Sequence, residues 1–240
     1  MKIYICERTL HSFFTAVYYG FNEQCVITSE NNVQLPLGSQ TVSVKAESDK
    51  AALVQKRICS YDKSAVNDII NVLRSCDPKK EQVAFDYIRR LVAEKTPVLN
   101  AFNFPEVVAF NNILYKINGE VHRIKGLLRF MESAGGAFYA PYSPDNDITE
   151  LLMPHFAARY GSERFVIHDV KRKIAGIYNG RECILGHMEE TEIYISENQT
   201  AFERLWKKYY AAVNIKERPH EKQMRGSMPV RYWKFLPEKN

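Results

Sequence analysis

Basic and aromatic side chains interleave along the end of the chain, Glu217-Arg-Pro-His-Glu-Lys-Gln-Met-Arg-Gly-Ser-Met-Pro-Val-Arg-Tyr-Trp-Lys-Phe-Leu-Pro-Glu238. Residues 214–240 hold seven Lys/Arg against three Asp/Glu, net +4 of the whole chain's +5. Cations that neutralise phosphate, set beside rings on which an unpaired base can stack, are the chemistry of nucleic-acid binding. The same residues also suit a segment folded back onto the core, because large rings bury apolar area well.

A second cationic stretch, Gly119-Glu-Val-His122-Arg-Ile-Lys125-Gly-Leu-Leu-Arg129, sets His122 and Lys125 three residues apart at what reads as a helix end. Cations complement the helix dipole there, and a phosphate can dock. Helix-end electrostatics without any ligand explains the same pattern. His155, His168 and His187 share the second half of the chain with Asp145, Asp147 and Asp169, but no pair has the His-x-x-x-His or Cys-x-x-Cys spacing of a metal site. Neither a metal nor another cofactor is expected. Asp145-Asn-Asp147 lacks the glycine and closing glutamate of a calcium loop and reads as a turn or helix cap. No Gly-x-Ser-x-Gly elbow is present, and the glycine pair at 135–136 reads as a hairpin turn rather than a phosphate cradle. A Cys-His-Asn/Asp arrangement stays open, since its members need not be sequence neighbours. In an enzyme reading, His122 or His168 is the acid/base group.

Positioning these groups takes a folded core, and 240 residues at 45% hydrophobic content suffice for one large domain or two small ones. The five cysteines, Cys6, Cys25, Cys59, Cys76 and Cys183, are odd in number and never closer than seventeen residues. That suggests neither a disulfide framework nor a zinc knuckle and favours a reducing cytoplasm. Charge enters Met-Lys-Ile-Tyr-Ile-Cys-Glu-Arg too early for a signal peptide, and no apolar run approaches the roughly 20 residues of a membrane helix, so no membrane is expected as a partner.

The apolar spacing predicts a strand over 2–6, a helix over 9–21, and an extended piece containing Thr41-Val-Ser-Val44. Helices follow over 62–76, from a cap at Asp77-Pro78 to about Lys95, and from Pro105 to about Lys125, where Gly126 ends the last. A hairpin is expected over 127–140, then a helix from Ser143 to Tyr160, capped by Ser143 or Asp147 and kinked or shortened by Pro154. Strands at 165–169 and 174–178, an Asn179-Gly180 turn, a strand over 181–185 and another near 192–195 precede a final helix that opens at Ser196 and carries Phe202, Leu205 and Trp206. The fold class is α+β, with a helical middle beside a predominantly antiparallel sheet and the tail packed across them. The expected divisions are 1–60, 61–125, 126–213 and 214–240, or one compact domain.

Three segments together are similar to a bacterial family of DNA metabolism proteins: Glu120-Val-His-Arg-Ile-Lys-Gly-Leu-Leu-Arg-Phe130, Pro154-His-Phe-Ala-Ala-Arg-Tyr160 with Phe165-Val-Ile-His-Asp169, and Gln223 followed by Met228-Pro-Val-Arg-Tyr-Trp233. Members of that family are typically encoded beside a radical-SAM protein and sometimes fused to a uracil-DNA-glycosylase-like domain. Pro219-His220 departs from the Asn-Pro expected of relatives. The resemblance implies a DNA-binding accessory role in DNA repair or modification with a radical-SAM partner, and it supplies no reaction. No Cys-x-x-x-Cys-x-x-Cys signature is present, so iron-sulfur chemistry would reside in the partner. Carried over by position, the nucleic-acid-binding candidates are His122, Arg123, Lys125, Arg129, Gln223, Arg225, Arg231, Tyr232 and Trp233. The rival readings are a protein adaptor without DNA contact and an enzyme acting on a nucleobase or nucleotide.

Overall fold

The structure, a computed structural model, describes residues 1–30, 38–133, 136–189 and 225–239. The chain is an α+β protein that divides into two compact units, Met1–Ile117 and Asn118–Asn240. Among the described residues, no helix is long and apolar enough to cross a membrane.

In the first unit, β1 (Lys2–Cys6) buries Ile3, Tyr4 and Cys6. Thr9 caps α1 (Leu10–Gly20), its Oγ1 accepting the Ser12 N–H at 3.2 Å. β2 (Cys25–Thr28) and β3 (Gln40–Val44) pair with β1 from either side, both parallel to it, giving the order β2-β1-β3. The extended piece at 41–44 is therefore a sheet strand. Its partner lies about forty residues away, so no local signal announces the pairing.

α2 (Ser48–Tyr61) was not expected. It buries only Ala51 and Ile58, so it writes no apolar stripe into the sequence. The helix expected from Asp62 starts instead as α3 (Ala65–Leu73), because Asp62 Oδ1 accepts the Ser64 N–H and hydroxyl in a tight turn. Asp77 likewise holds a turn, accepting the Lys79 N–H at 2.9 Å, and Lys79 rather than Asp77 is the N-cap of α4 (Lys80–Glu94). The first turn of α4 covers the outer edge of β2. Gln82 Oε1 accepts the Ile27 N–H at 2.9 Å, and Glu81 accepts the Ser29 hydroxyl at 2.6 Å. Tyr87 of α4 stacks on Phe110 of α5 (Pro105–Leu127) with ring centroids 3.9 Å apart.

In the second unit α5 continues through Gly126, beyond its expected stop. Arg129 closes it, with Nη1 donating to the Gly126 carbonyl at 2.8 Å. β4 (Met131–Glu132), β5 (Phe138–Tyr142), β6 (Phe165–Asp169), β7 (Ile174–Tyr178) and β8 (Cys183–His187) form a sheet in that spatial order. Its pairings are antiparallel except β5 with β6, whose parallel register is bridged by α6 (Thr149–Tyr160). α6 starts at Thr149, not Ser143, and neither Ser143 nor Asp147 caps it: the N-cap position is Ile148, without a side-chain cap. Residues 143–148 are held out of the helix by the bonds described below. Pro154 lies inside α6 without ending it. Leu152, Met153 and Phe156 are buried on the β6–β7 side, where a Cβ at Gly176 would collide with the Met153 sulfur. Asn179 Oδ1 accepts the Arg181 and Glu182 N–H groups, and Gly180 takes φ +95°, which makes the expected turn into β8. The strand near 192–195 and the final helix lie outside the described residues.

Candidate functional site

Segments far apart in sequence meet at the loop 143–148 between β5 and α6. Glu120 falls in the buried stripe of α5 and is only 1% exposed. Its Oε1 accepts the Asp145 N–H at 2.8 Å and the Tyr232 hydroxyl at 2.5 Å. Its Oε2 accepts the Asn146 N–H at 3.0 Å and the Asn146 side-chain amide at 2.7 Å. A carboxylate at such depth is tolerable only with donors of this number and kind.

The loop's other side is held from the β6–β7 turn. Asp169, wholly buried, accepts the Lys171 and Arg172 N–H groups on Oδ1 and the Arg172 guanidinium on Oδ2 at 2.8 Å. The same guanidinium reaches on to the carbonyls of Pro144, at 3.1 Å, and Asp145. Tyr142 closes the loop below, paired with Thr149 Oγ1 at 2.8 Å, and burial drives its phenol well above the usual range.

The tail arrives as a 3-10 turn, Val230–Phe235, beside β5. That turn sends Tyr232 inward, 2% exposed, and leaves Arg231 half-exposed. Arg231 Nη2 lies 2.7 Å from Asp145 Oδ2 and 3.2 Å from the Tyr232 hydroxyl, with the guanidinium 4.7 Å from the Tyr232 ring centre. Burial, then the hydrogen bond to Glu120, pushes the Tyr232 phenol far up, so it remains a donor at any ordinary pH. Trp233 is half-buried. Its indole N–H is given to the Met228 carbonyl at 2.9 Å, and the Lys239 ammonium sits 5.0 Å from its ring centre.

Of the residues expected to bind nucleic acid, Arg231 and Tyr232 come together here, and Tyr232 is a buried anchor. Trp233, exposed Arg225 and exposed Lys234 flank them in the described tail. Gln223 lies outside the described residues. On α5, His122 is exposed and Lys125 half-buried in the last turn. Arg123 folds back along the helix to within 3.5 Å of a Cβ built on Gly119, and its Nε is buried with no hydrogen-bond partner among the described residues. Arg129 serves as the helix-end cap. His168 is held from both sides: the Met188 carbonyl, 3.1 Å from Nε2, can only accept, so Nε2 donates to it, and Nδ1 pairs with the Tyr139 hydroxyl at 2.7 Å. Both ring nitrogens are committed and the ring is buried. Among the described residues, no group of three or more His, Cys, Asp or Glu gathers as a metal site.

The sequence singles out neither Glu120 nor Arg172, reads Asn146 only as part of a turn or helix cap, and sets Asp169 only among residues that lack metal-site spacing. Glu120 carried a usable signal, since Ile117 and Ile124 bracket it at helical spacing within a buried stripe. Asp169 and Arg172 carried none, because their partners at 144 and 145 are set by the fold.

A family model described as a domain of unknown function, DUF4130, matches residues 78–238, which enclose every residue of this network. No curated protein matches the chain.

Proposed function

We propose that the chain, which belongs to the DUF4130 family, is a nucleic-acid-binding accessory protein that acts in DNA repair or modification beside a radical-SAM partner. The observation that carries this reading is the anchoring of the tail. Tyr232, bonded to Glu120, pins the 3-10 turn, so the half-exposed Trp233 and the exposed Lys234 stand on an ordered surface, and the exposed Arg225 precedes it in the chain. Cations beside a fixed ring suit a phosphate backbone with an unpaired base. The partner and pathway follow from the resemblance of the segments at 120–130, 154–169 and 228–233.

The test is fluorescence anisotropy with single-stranded and duplex oligonucleotides across a salt series. Binding is expected to weaken with salt, by about 0.7 in log affinity per log salt for each phosphate neutralised on a single strand. Changing Arg225 and Lys234 together to Ala then lowers that slope by about 1.4. A salt-independent signal, or no binding at low salt, defeats the reading. Co-purification with the radical-SAM protein that persists without DNA would then favour the adaptor role.

A further inference from the structure

The first unit holds a cavity of about 450 Å³ lined by Ile5, Cys6, Glu7, Arg8, Ser29, Glu30 and Ser43. These residues come from the carboxyl ends of all three parallel strands: 5–8 from β1, 29–30 from β2 and 43 from β3. β1 is the central strand, and the chain leaves it to one side for β2 and returns on the other for β3. In open parallel sheets that reversal leaves a crevice beyond the strand ends, which is where ligands bind. The cavity also falls within the size range of small-molecule sites.

The lining narrows the chemistry. Ile5 offers an apolar wall, whereas Cys6, the next residue of the strand and so directed to the other face, is buried with its thiol committed to the Thr28 carbonyl at 3.5 Å. Ser43 presents its hydroxyl, whereas the Ser29 hydroxyl is donated to Glu81 at 2.6 Å and is left only to accept. At the mouth, Glu30 pairs with Arg8 at 3.2 Å, both ends substantially exposed, and Glu7 adds a second carboxylate. Such an exposed pair is worth little and exchanges readily for a ligand group. The three charged residues leave the rim net negative, which disfavours polyanions. The turn from β1 into α1 reads Glu7-Arg8-Thr9, with none of the glycines that let a backbone approach a diphosphate. An acceptor-rich rim over an apolar wall suits a neutral molecule that has hydroxyl donors at one end and a flat ring at the other.

We infer that this cavity is a ribonucleoside site, in which Glu30 at the end of β2 accepts the vicinal ribose hydroxyls and the base lies against Ile5. The carboxylate at the end of the strand next to β1 occupies the position from which an acidic residue takes ribose hydroxyls in other parallel sheets. Glu7, just past the end of β1, is a second acceptor in the lining.

The experiment is calorimetric titration of the full chain with adenosine, guanosine, cytidine and uridine, with 2′,3′-dideoxyadenosine and AMP as comparisons. At least one ribonucleoside is expected to bind, with AMP weaker than adenosine and the dideoxy compound weaker by roughly tenfold or more, the loss that accompanies hydrogen bonds to a charged acceptor. Glu30→Gln should weaken the ribonucleoside to a similar extent. Ser43→Val, which narrows the cavity from the β3 side, should do so without touching the charged rim. Both positions are partly exposed, so each variant keeps the melting temperature of the parent. Failure of all four ribonucleosides to bind overturns the inference. So does equal affinity for the dideoxy compound, tighter binding of AMP that Arg8→Gln abolishes, or indifference to Glu30→Gln.

Discussion

Tyr232→Phe removes one oxygen from the tail and nothing from its ring packing. In the parent that oxygen donates to Glu120 at 2.5 Å and accepts from Arg231 at 3.2 Å, in a setting where Tyr232 is 2% and Glu120 1% exposed. A hydrogen bond to a charged group contributes about 1.5–3 kcal/mol. Glu120 keeps three donors from Asp145 and Asn146, so the carboxylate is not stranded and the cost should fall near the middle, about 2 kcal/mol. For a chain of this size that is a fall in melting temperature of about 4–8 °C. Urea unfolding followed by circular dichroism should show a lower midpoint with an unchanged slope. Glu120→Gln should cost more, about 3 kcal/mol or above, because its amide nitrogen would face a donor that the carboxylate now accepts. Trypsin should also cut the Tyr232→Phe protein faster at Arg231 and Lys234, since the turn that shields them has lost its anchor. A change below about 0.5 kcal/mol with unchanged cleavage would mean that Glu120 does not hold the tail, and the ordered surface proposed for nucleic acid would go with it.

Trp233→Ala is expected to cost about 1–3 kcal/mol by thermal denaturation, less than a wholly buried indole because the ring is half-exposed, whereas Arg231→Ala should cost about 1 kcal/mol or less, since its partner Asp145 is itself half-exposed. Equal losses would make Arg231 a structural member of the anchor rather than a surface group. Iodoacetamide at pH 8, read by peptide mass spectrometry, should label exposed Cys59, Cys76 and Cys183 and spare buried Cys6 and Cys25 until the chain unfolds. Burial, helped by Glu81, pushes the Cys6 thiol up to about 12. The folded state therefore keeps its proton after the unfolded state, near its ordinary value of about 8.5, has lost it. That contribution to stability is complete below about pH 8.5 and fades as the pH climbs towards 12, so denaturant midpoints should decline over that window.

Local pattern made much of the fold legible. β1, β6 and β7 were written by alternation or by short apolar runs, α1 and α4 by apolar stripes, and the Asn179-Gly180 turn by its dipeptide. What failed to show depends on partners distant in sequence. α2 buries too little to leave a stripe, and β3 is a strand only because β1 lies beside it. The helix start at Ser143 was misjudged for the same reason. A polar, proline-bearing stretch looks like a helix cap until Glu120 and Arg172 take up its amides and carbonyls and leave it as a loop.

That loop also alters what the tail offers. Read as a sequence, Arg231, Tyr232 and Trp233 are three equivalent candidates for a cation and two stacking rings. Folded, they differ in kind: Tyr232 is spent on Glu120, Arg231 is drawn to Asp145 and lies against the Tyr232 ring, and Trp233 keeps part of one ring at the surface under Lys239. On the nucleic-acid reading proposed above, a base would stack on Trp233, with the Lys239 ammonium nearby to meet a phosphate. Arg231 becomes available only if Asp145 releases it. Because that pair is half-exposed, exchanging Asp145 for a phosphate oxygen would cost little on the proposed reading, and the buried bond between Tyr232 and Glu120 would hold the turn in place.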